Sequence, residues 1–366
     1  MSQPIPKTTK QWNVTGPLNG LDSLRYTEQA IPELGDNQVL VKSKNPVPAG
    51  LKWRQSVGGY RDVIIPQGKY PFDLKPGVVP GSDGAGIVLA VGKHVTRFEP
   101  GDKVVTTLYQ HHLAGPIDSR TRKSGLGGSI DGTLRTVGAF DEQGLVAMPE
   151  GLSFTEAATL SCAGVTAWNA LFGLTGRHVT AGQWVLTQGT GGVSLFAVQF
   201  AKAVGARVIA TTSSSEKAKV LERLGADHII NYRETLDWGS VAKELTGGVG
   251  VDHVVDVAGP ASLEQNAASV KLDGVISVVG FVGGAAGANR MPGLLDCWLN
   301  HFLARGIWTG SRMQMEDMCR AIAANPDKLR PVVDPTVFTL DQVKEAYEYL
   351  ESGKHQGKVC IEIAQV

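Results

Sequence analysis

No two cysteines in this chain stand at the close spacing of a metal knot or a redox motif. Cys162, Cys297, Cys319 and Cys360 are scattered through 366 residues without one C-x-x-C pair, so neither a disulfide framework nor a structural zinc knot is indicated. They read as buried thiols in a reducing compartment. An excess of charge is missing too: Lys plus Arg number 35 and Asp plus Glu number 35, which gives no electrostatic pull toward nucleic acid or an anionic membrane. A small, apolar or aromatic partner is expected instead. No stretch approaches the roughly 18 apolar residues of a membrane span, and the opening MSQPIPKTTKQWNV lacks the apolar centre of a signal peptide. These absences together predict a soluble cytoplasmic protein with no nucleic-acid or membrane partner.

What is present is glycine, 45 residues of it, marking tight turns and close backbone approaches rather than a repeat. From about residue 36 to 150, short β-rich segments (Gln38 to Ser43, Gly86 to Val91, Lys103 to Leu108, Leu134 to Ala139) are separated by Gly, Pro and Asp clusters. The pattern changes at Ser153, where SFTEAATLSCAGVTAWNALF shows helical spacing behind a Ser153-to-Glu156 capping box. Strands and helices then alternate through VIATT, HII, VDHVVDV and GVISVVG to a further strand, GIWTGS, as a parallel sheet wrapped by helices requires. Near the end, DQVKEAYEYLESG reads as a helix stopped by Gly353 and KVCIEI as a closing strand. The expected fold is therefore α/β, with a β-rich domain over 1–160, a doubly wound parallel-sheet domain over 161–315, and a return to the first domain over 316–366.

One run is the most specific. Between Trp184 and Asn231 the chain reads strand, glycine turn, helix, strand, helix, strand, with Gly189, Thr190, Gly191, Gly192 and Val193 forming the turn. Glycines there let the backbone approach a pyrophosphate, and the following helix N-terminus offers free N–H groups and positive dipole to that anion. The third glycine of G-x-G-x-x-G is replaced by Ser194, a departure that bears on helix packing more than on phosphate contact. The second strand ends in Thr211, Thr212, Ser213 and Ser214, where a cofactor with a free ribose 2′-hydroxyl calls for Asp or Glu. That missing acid favours the 2′-phosphorylated dinucleotide, NADPH, with Ser213, Ser214, Lys217 and Tyr232 as candidate phosphate contacts. A second reading stands beside it: Ser213 with Glu216 also spells a capping box for the next helix.

With these residues on the page, nearly the whole chain resembles the medium-chain dehydrogenase/reductase superfamily, most closely its zinc-independent quinone oxidoreductase-like and alcohol dehydrogenase-like (enoyl reductase) members. The resemblance is carried by VVPGSDGAGIVLAVGKHVTRFEPGDKV, GLSFTEAATLSCAGVTAWNAL, the glycine turn with GARVIATTSSSEKAKVLERLGADHIINY, and GKHQGKV. It implies a GroES-like catalytic domain built from both chain ends, a Rossmann domain between them, and a homodimer joined through sheet edges, with the strands around Val275 to Val279 and Gly306 to Thr309 as candidates. It also implies that Thr166, Ala258 or Gly259, Gly280 and Phe281 line the nicotinamide.

Zinc-dependent members hold their metal with a Cys in the first domain, a His in a GHE-like segment and a later Cys or Asp. This chain has Ser82 and Asp83 in that segment, no Cys in the first domain before Cys162, and none over residues 105 to 130. One soft ligand does not hold a tetrahedral zinc, so no metal is expected; His111 and His112 read as solvated loop residues. Without a Lewis acid, an alkene conjugated to a carbonyl is the easiest hydride acceptor, with a simple carbonyl next. Where zinc-free relatives carry an Asn-Tyr-Arg-Asp-like segment, this chain has Lys52, Trp53, Arg54 and Gln55. Lys52 is the candidate donor to an enolate, Trp53 the candidate wall for an apolar substrate, and Arg54 the matching basic residue. The zinc-poor first domain also permits a zinc-free alcohol dehydrogenase, and the altered segment admits a cofactor-binding protein with a non-redox role or none in catalysis. Tyr109 to Ser129, polar and glycine-rich, reads either as a substrate lid or as a plain surface loop.

Overall fold

The structure, a computed structural model, describes residues 5–42, 55–56, 60–280 and 293–363. It divides into two compact units. The first holds the residues up to Cys162 with Ser311–Pro326 and Arg330 onward, and the second holds Ala163–Gly310 with Asp327–Leu329; these limits stand beside the expected ones at 160 and 315. No helix among the described residues is long and apolar enough to cross a membrane.

The second unit is a six-stranded, wholly parallel sheet in the spatial order His228–Asn231, Arg207–Thr212, Trp184–Gln188, Val251–Asp256, Val270–Val278, Leu303–Gly306. In chain order this is 3-2-1-4-5-6, the doubly wound arrangement. Parallel strands covered on both faces need continuous apolar runs, and Leu186, Ile209, Val254 and Ile276 are fully or almost fully buried at their centre. Two strand expectations need correction. The last strand is Leu303–Gly306 rather than GIWTGS, because its Leu303 to Gly306 register against Val275 to Val278 consumes the pairing positions first. Val270–Val278 is paired on both sides, so the residues around Val275 form no edge; the edges of this sheet among the described residues are His228–Asn231 and Leu303–Gly306.

The first unit is mostly antiparallel, with one parallel pair, Val333–Thr339 beside Lys358–Glu362. Its five-stranded sheet runs Val137–Asp141, Gln38–Lys42, Ala85–Val91, Lys103–Thr106, Leu145–Ala147, close to the four segments expected from turn spacing. The closing strand Lys358–Glu362 lies between Val333–Thr339 and Gln55–Ser56, so the C-terminal tail completes the N-terminal unit. Trp12, Leu24, Ile65, Leu134, Tyr347 and Ile361 share one core there, again drawing on both ends of the chain. The Ser153 cap forms as expected: its Oγ accepts from the Glu156 N–H at 3.3 Å, and Glu156 Oε2 accepts from the Ser153 N–H at 2.7 Å.

Candidate functional site

Ligands of doubly wound sheets bind outside the carboxyl ends of the strands, where the chain order reverses. Here that point lies between Trp184–Gln188 and Val251–Asp256. The strand Trp184–Gln188 runs directly into the turn, Gly189 takes the left-handed φ of +73°, and the helix Gly192–Ala203 starts behind Gly191 without a side-chain cap. A Cβ built on Gly189 or Gly191 meets no atom of the described residues within 4 Å. The space beside an uncapped helix start is thus a cradle open to an anion, and the residues present fit a dinucleotide pyrophosphate. Ser194, in place of the third glycine, is buried and donates from Oγ to the Gln188 carbonyl at 2.6 Å, which fastens helix to strand at this turn.

The second and third strands end side by side, Thr212 opposite Asn231. Ser213 and Tyr232 each stand one residue further on, with Ser213 half-buried and Tyr232 exposed. The helix Ser215–Arg223 begins here, but its N-cap is Ser214, whose Oγ accepts from the Lys217 N–H at 3.3 Å. In place of the Ser213–Glu216 box expected from sequence, the helix thus has a single cap bond one residue later. The alternative capping reading belongs to Ser214, and that hydroxyl still has its proton to donate. Ser213, Ser214, Lys217 and Tyr232 are gathered at one corner of the sheet with a helix N-terminus, a setting suited to a phosphate.

Thr166 lies in the helix Val165–Phe172 at 1% exposure, and its Oγ1 has no partner among the described residues. Ala258 follows the fourth strand. Gly280 follows the fifth, close enough to Val257 that a Cβ would stand 3.0 Å from its carbonyl oxygen. Lys52, Trp53, Arg54 and Phe281 lie outside the described residues. An apolar cavity of about 510 Å³, lined by Leu263, Ala267, Ile276, Val278, Cys297 and Phe302 among others, includes none of the glycine-turn residues.

In the first unit, Ser82 and Asp83 are buried in the segment corresponding to the GHE of zinc-dependent members. Asp83 Oδ2 accepts from Lys358 Nζ at 3.1 Å, with the side chains 0% and 1% exposed. Burial disfavours the ammonium, but the Asp83 charge, reinforced by Cys162 and by the hydrogen bond, holds the Lys358 pKa above its ordinary value. Cys162 keeps part of its surface open. Its thiol is nevertheless pushed up to about 12, first by burial and then by the Asp83 charge. Asp83 is thus engaged by a buried ammonium that repels a divalent ion, and beside it Ser82 offers a hydroxyl where a zinc site needs an imidazole nitrogen. These residues do not fit a zinc ion, and no group of three or more His, Cys, Asp or Glu among the described residues does. Of the two histidines read as solvated, His111 is exposed but His112 is buried, with its Nε2 2.9 Å from the Gly115 carbonyl.

The segment 109–129 is anchored more firmly than either sequence reading required. Tyr109 bridges Gly125, the Gln110 N–H donates to the Ser124 carbonyl at 3.1 Å, and the Leu126 N–H donates to the Leu108 carbonyl at 3.0 Å. Its buried Tyr109, Gln110, Thr121, Ser124 and Leu126 flank an exposed tip.

A parallel six-stranded sheet with an open glycine cradle at its switch point defines a dinucleotide-binding protein. Two family models match the sequence: the alcohol dehydrogenase GroES-like domain over residues 51–150 and the zinc-binding dehydrogenase over residues 192–324. A zinc-type alcohol dehydrogenase-like protein of Schizosaccharomyces pombe is 45% identical over 349 residues, covering 94% of this chain and 97% of the relative. Among solved structures, one from Sinorhizobium meliloti 1021, provisionally described as an alcohol dehydrogenase, superposes with a TM-score of 0.86 at 38% identity, covering 98% of this chain and 100% of that one. An NAD-dependent alcohol dehydrogenase superposes with a TM-score of 0.82 at 29% identity, covering 96% and 99%. The chain belongs to the medium-chain dehydrogenase/reductase family and is an NAD(P)-dependent oxidoreductase.

Proposed function

We propose that this oxidoreductase works without zinc, prefers NADPH, and reduces an activated C=C bond in an enone- or quinone-type substrate, with a carbonyl as the nearest variant. The observation that carries the reading is the buried Ser82 where the metal-binding histidine of zinc-dependent members would stand, with the neighbouring Asp83 already paired to Lys358. A bound NADPH would supply the hydride. Without a metal to polarise a carbonyl, an alkene already conjugated to one is the better acceptor, because the charge from attack at its β-carbon spreads onto oxygen as an enolate. Hydrogen-bond donors then suffice, and Lys52 is the proposed donor, with Trp53 walling the apolar part of the substrate and Arg54 beside them. Thr166, Ala258, Gly280 and Phe281 are the proposed nicotinamide lining.

A panel of enones, quinones, aldehydes and ketones, assayed anaerobically for NADPH consumption, tests this reading. Conjugated acceptors should turn over at least tenfold faster than simple ketones, and turnover of no acceptor in the panel would sink it. The yeast relative's description as zinc-type alcohol dehydrogenase-like favours one second reading, alcohol oxidation, so NADP⁺ reduction with alcohols is the companion assay.

The absent acid at Ser213 and Ser214 supports NADPH over NADH. Lys217→Ala is expected to weaken NADPH about tenfold more than NADH in calorimetric titrations, since only the 2′-phosphate has a charge for it to meet. Equal losses would remove Lys217 from the phosphate site. We also propose a cytoplasmic homodimer. The edge strand Leu303–Gly306 and the exposed Leu294, Leu295, Trp298 and Leu299 of the preceding helix support it, because two such edges can pair across a two-fold axis.

A further inference from the structure

One side chain bridges the switch point of the sheet. Gln188 ends the first strand and is 5% exposed. Its Oε1 accepts from the backbone N–H groups of Val257 and Ala258, each at 3.1 Å, and its Nε2 donates to Asn266 Oδ1 at 2.7 Å. Asp256, which ends the fourth strand, accepts at Oδ1 from the Gly259 N–H at 3.1 Å and from Ser262 Oγ at 2.9 Å. Asn266, fully buried, donates from Nδ2 to the same Ser262 Oγ at 3.4 Å and closes the network.

Three consecutive N–H groups leave the sheet ladder at residues 257 to 259, and side chains from the two strand ends take all three. Buried amides are costly to leave unpaired, so this segment has one well-satisfied course across the crevice. The main chain of Gln188 meanwhile holds the glycine turn through the Ser194 hydroxyl. One residue thus ties the phosphate cradle to the segment beyond the fourth strand.

We propose that Gln188 is a positioning residue for the nicotinamide half of the cofactor site: it sets the 257–259 segment against the glycine turn and leaves the adenine half to the second and third strands. This rests on the reading of Ala258 as a nicotinamide-lining position. The test titrates the full chain by calorimetry with NADPH, NADH and their nicotinamide-free fragments, 2′-phospho-ADP-ribose and ADP-ribose. Gln188→Met, similar in size but without an acceptor oxygen, should weaken the preferred dinucleotide at least tenfold and its fragment by less than twofold. Gln188→Glu keeps an acceptor for both N–H groups and should recover most of the loss; should the Met variant fail to fold, Gln188→Asn, which withdraws the acceptor by one methylene, carries the test with the same expected split. Equal weakening of dinucleotide and fragment, weakening of neither, or no recovery by Glu would overturn the role of Gln188. A wild-type chain that binds neither dinucleotide would instead overturn the site reading beneath it.

Discussion

Lys358→Met is expected to remove about 3–5 kcal/mol of stability from the first unit, the usual cost of stranding one member of a buried ion pair. The pair joins the closing strand to a segment 275 residues earlier, and both side chains are all but sealed from water. Methionine fills most of the space but leaves the Asp83 carboxyl without its counter-charge. The loss should depend on pH with a definite sign. An uncompensated buried carboxyl has its folded pKa raised above the unfolded value, so the folded state holds the extra proton and its stability falls as pH rises through that range. The deficit relative to wild type should therefore be larger at pH 8 than at pH 5. Replacing both members, as Asp83→Leu with Lys358→Met, removes the stranded charge and should restore most of the loss, since apolar isosteres of buried pairs are often neutral. Urea unfolding of the wild type, the single variant and the double variant measures all three. A single-variant loss below about 1 kcal/mol would mean that the pair is solvated in solution.

That partnership also shows where sequence reading stops. The glycine turn, the alternation of strands and helices and the Ser153 cap were legible because each is written in fewer than about fifteen neighbouring residues, within reach of periodicity and capping rules. Asp83 and Lys358 carry no such signal: each alone resembles an ordinary charged residue, and only the strand register that places the C-terminal tail in the first unit brings them together. Gln188 was passed over for the same reason, its partners lying 69 and more residues away. Smaller misses were local. A run of three serines offers several N-caps of nearly equal quality, and packing selected Ser214. The sixth strand began three residues early because its register on the fifth strand, rather than its own β-propensity, set its limits. The proposed catalytic residues Lys52, Trp53 and Arg54 lie outside the described residues, so their assignment rests on the sequence resemblance.

Gly191→Asp is expected to leave folding intact and reduce dinucleotide affinity at least 100-fold. Glycines in this fold answer to different needs, and the structure separates them. Gly250 has a φ of +103°, and a Cβ there would stand 2.6 Å from the Lys271 backbone nitrogen, so the fold itself forbids a side chain. Gly191 has a φ of −75° and a ψ of 168°, ordinary extended values, and a Cβ would meet no atom of the described residues within 4 Å. Neither backbone strain nor crowding within the chain requires glycine at this position. Aspartate is moreover among the better N-caps, and its charge suits the positive end of the helix Gly192–Ala203. The thermal midpoint should therefore stay level or rise slightly. The same carboxylate would occupy the cradle and repel a pyrophosphate from the free N–H groups that it satisfies itself. Gly191→Ala, which adds bulk without charge, should lose about tenfold, dividing the effect between space and electrostatics. Thermal melts paired with calorimetric titration of NADPH and NADH give the answer. A folded Asp variant that binds as tightly as the wild type would show that the pyrophosphate does not lie against this turn.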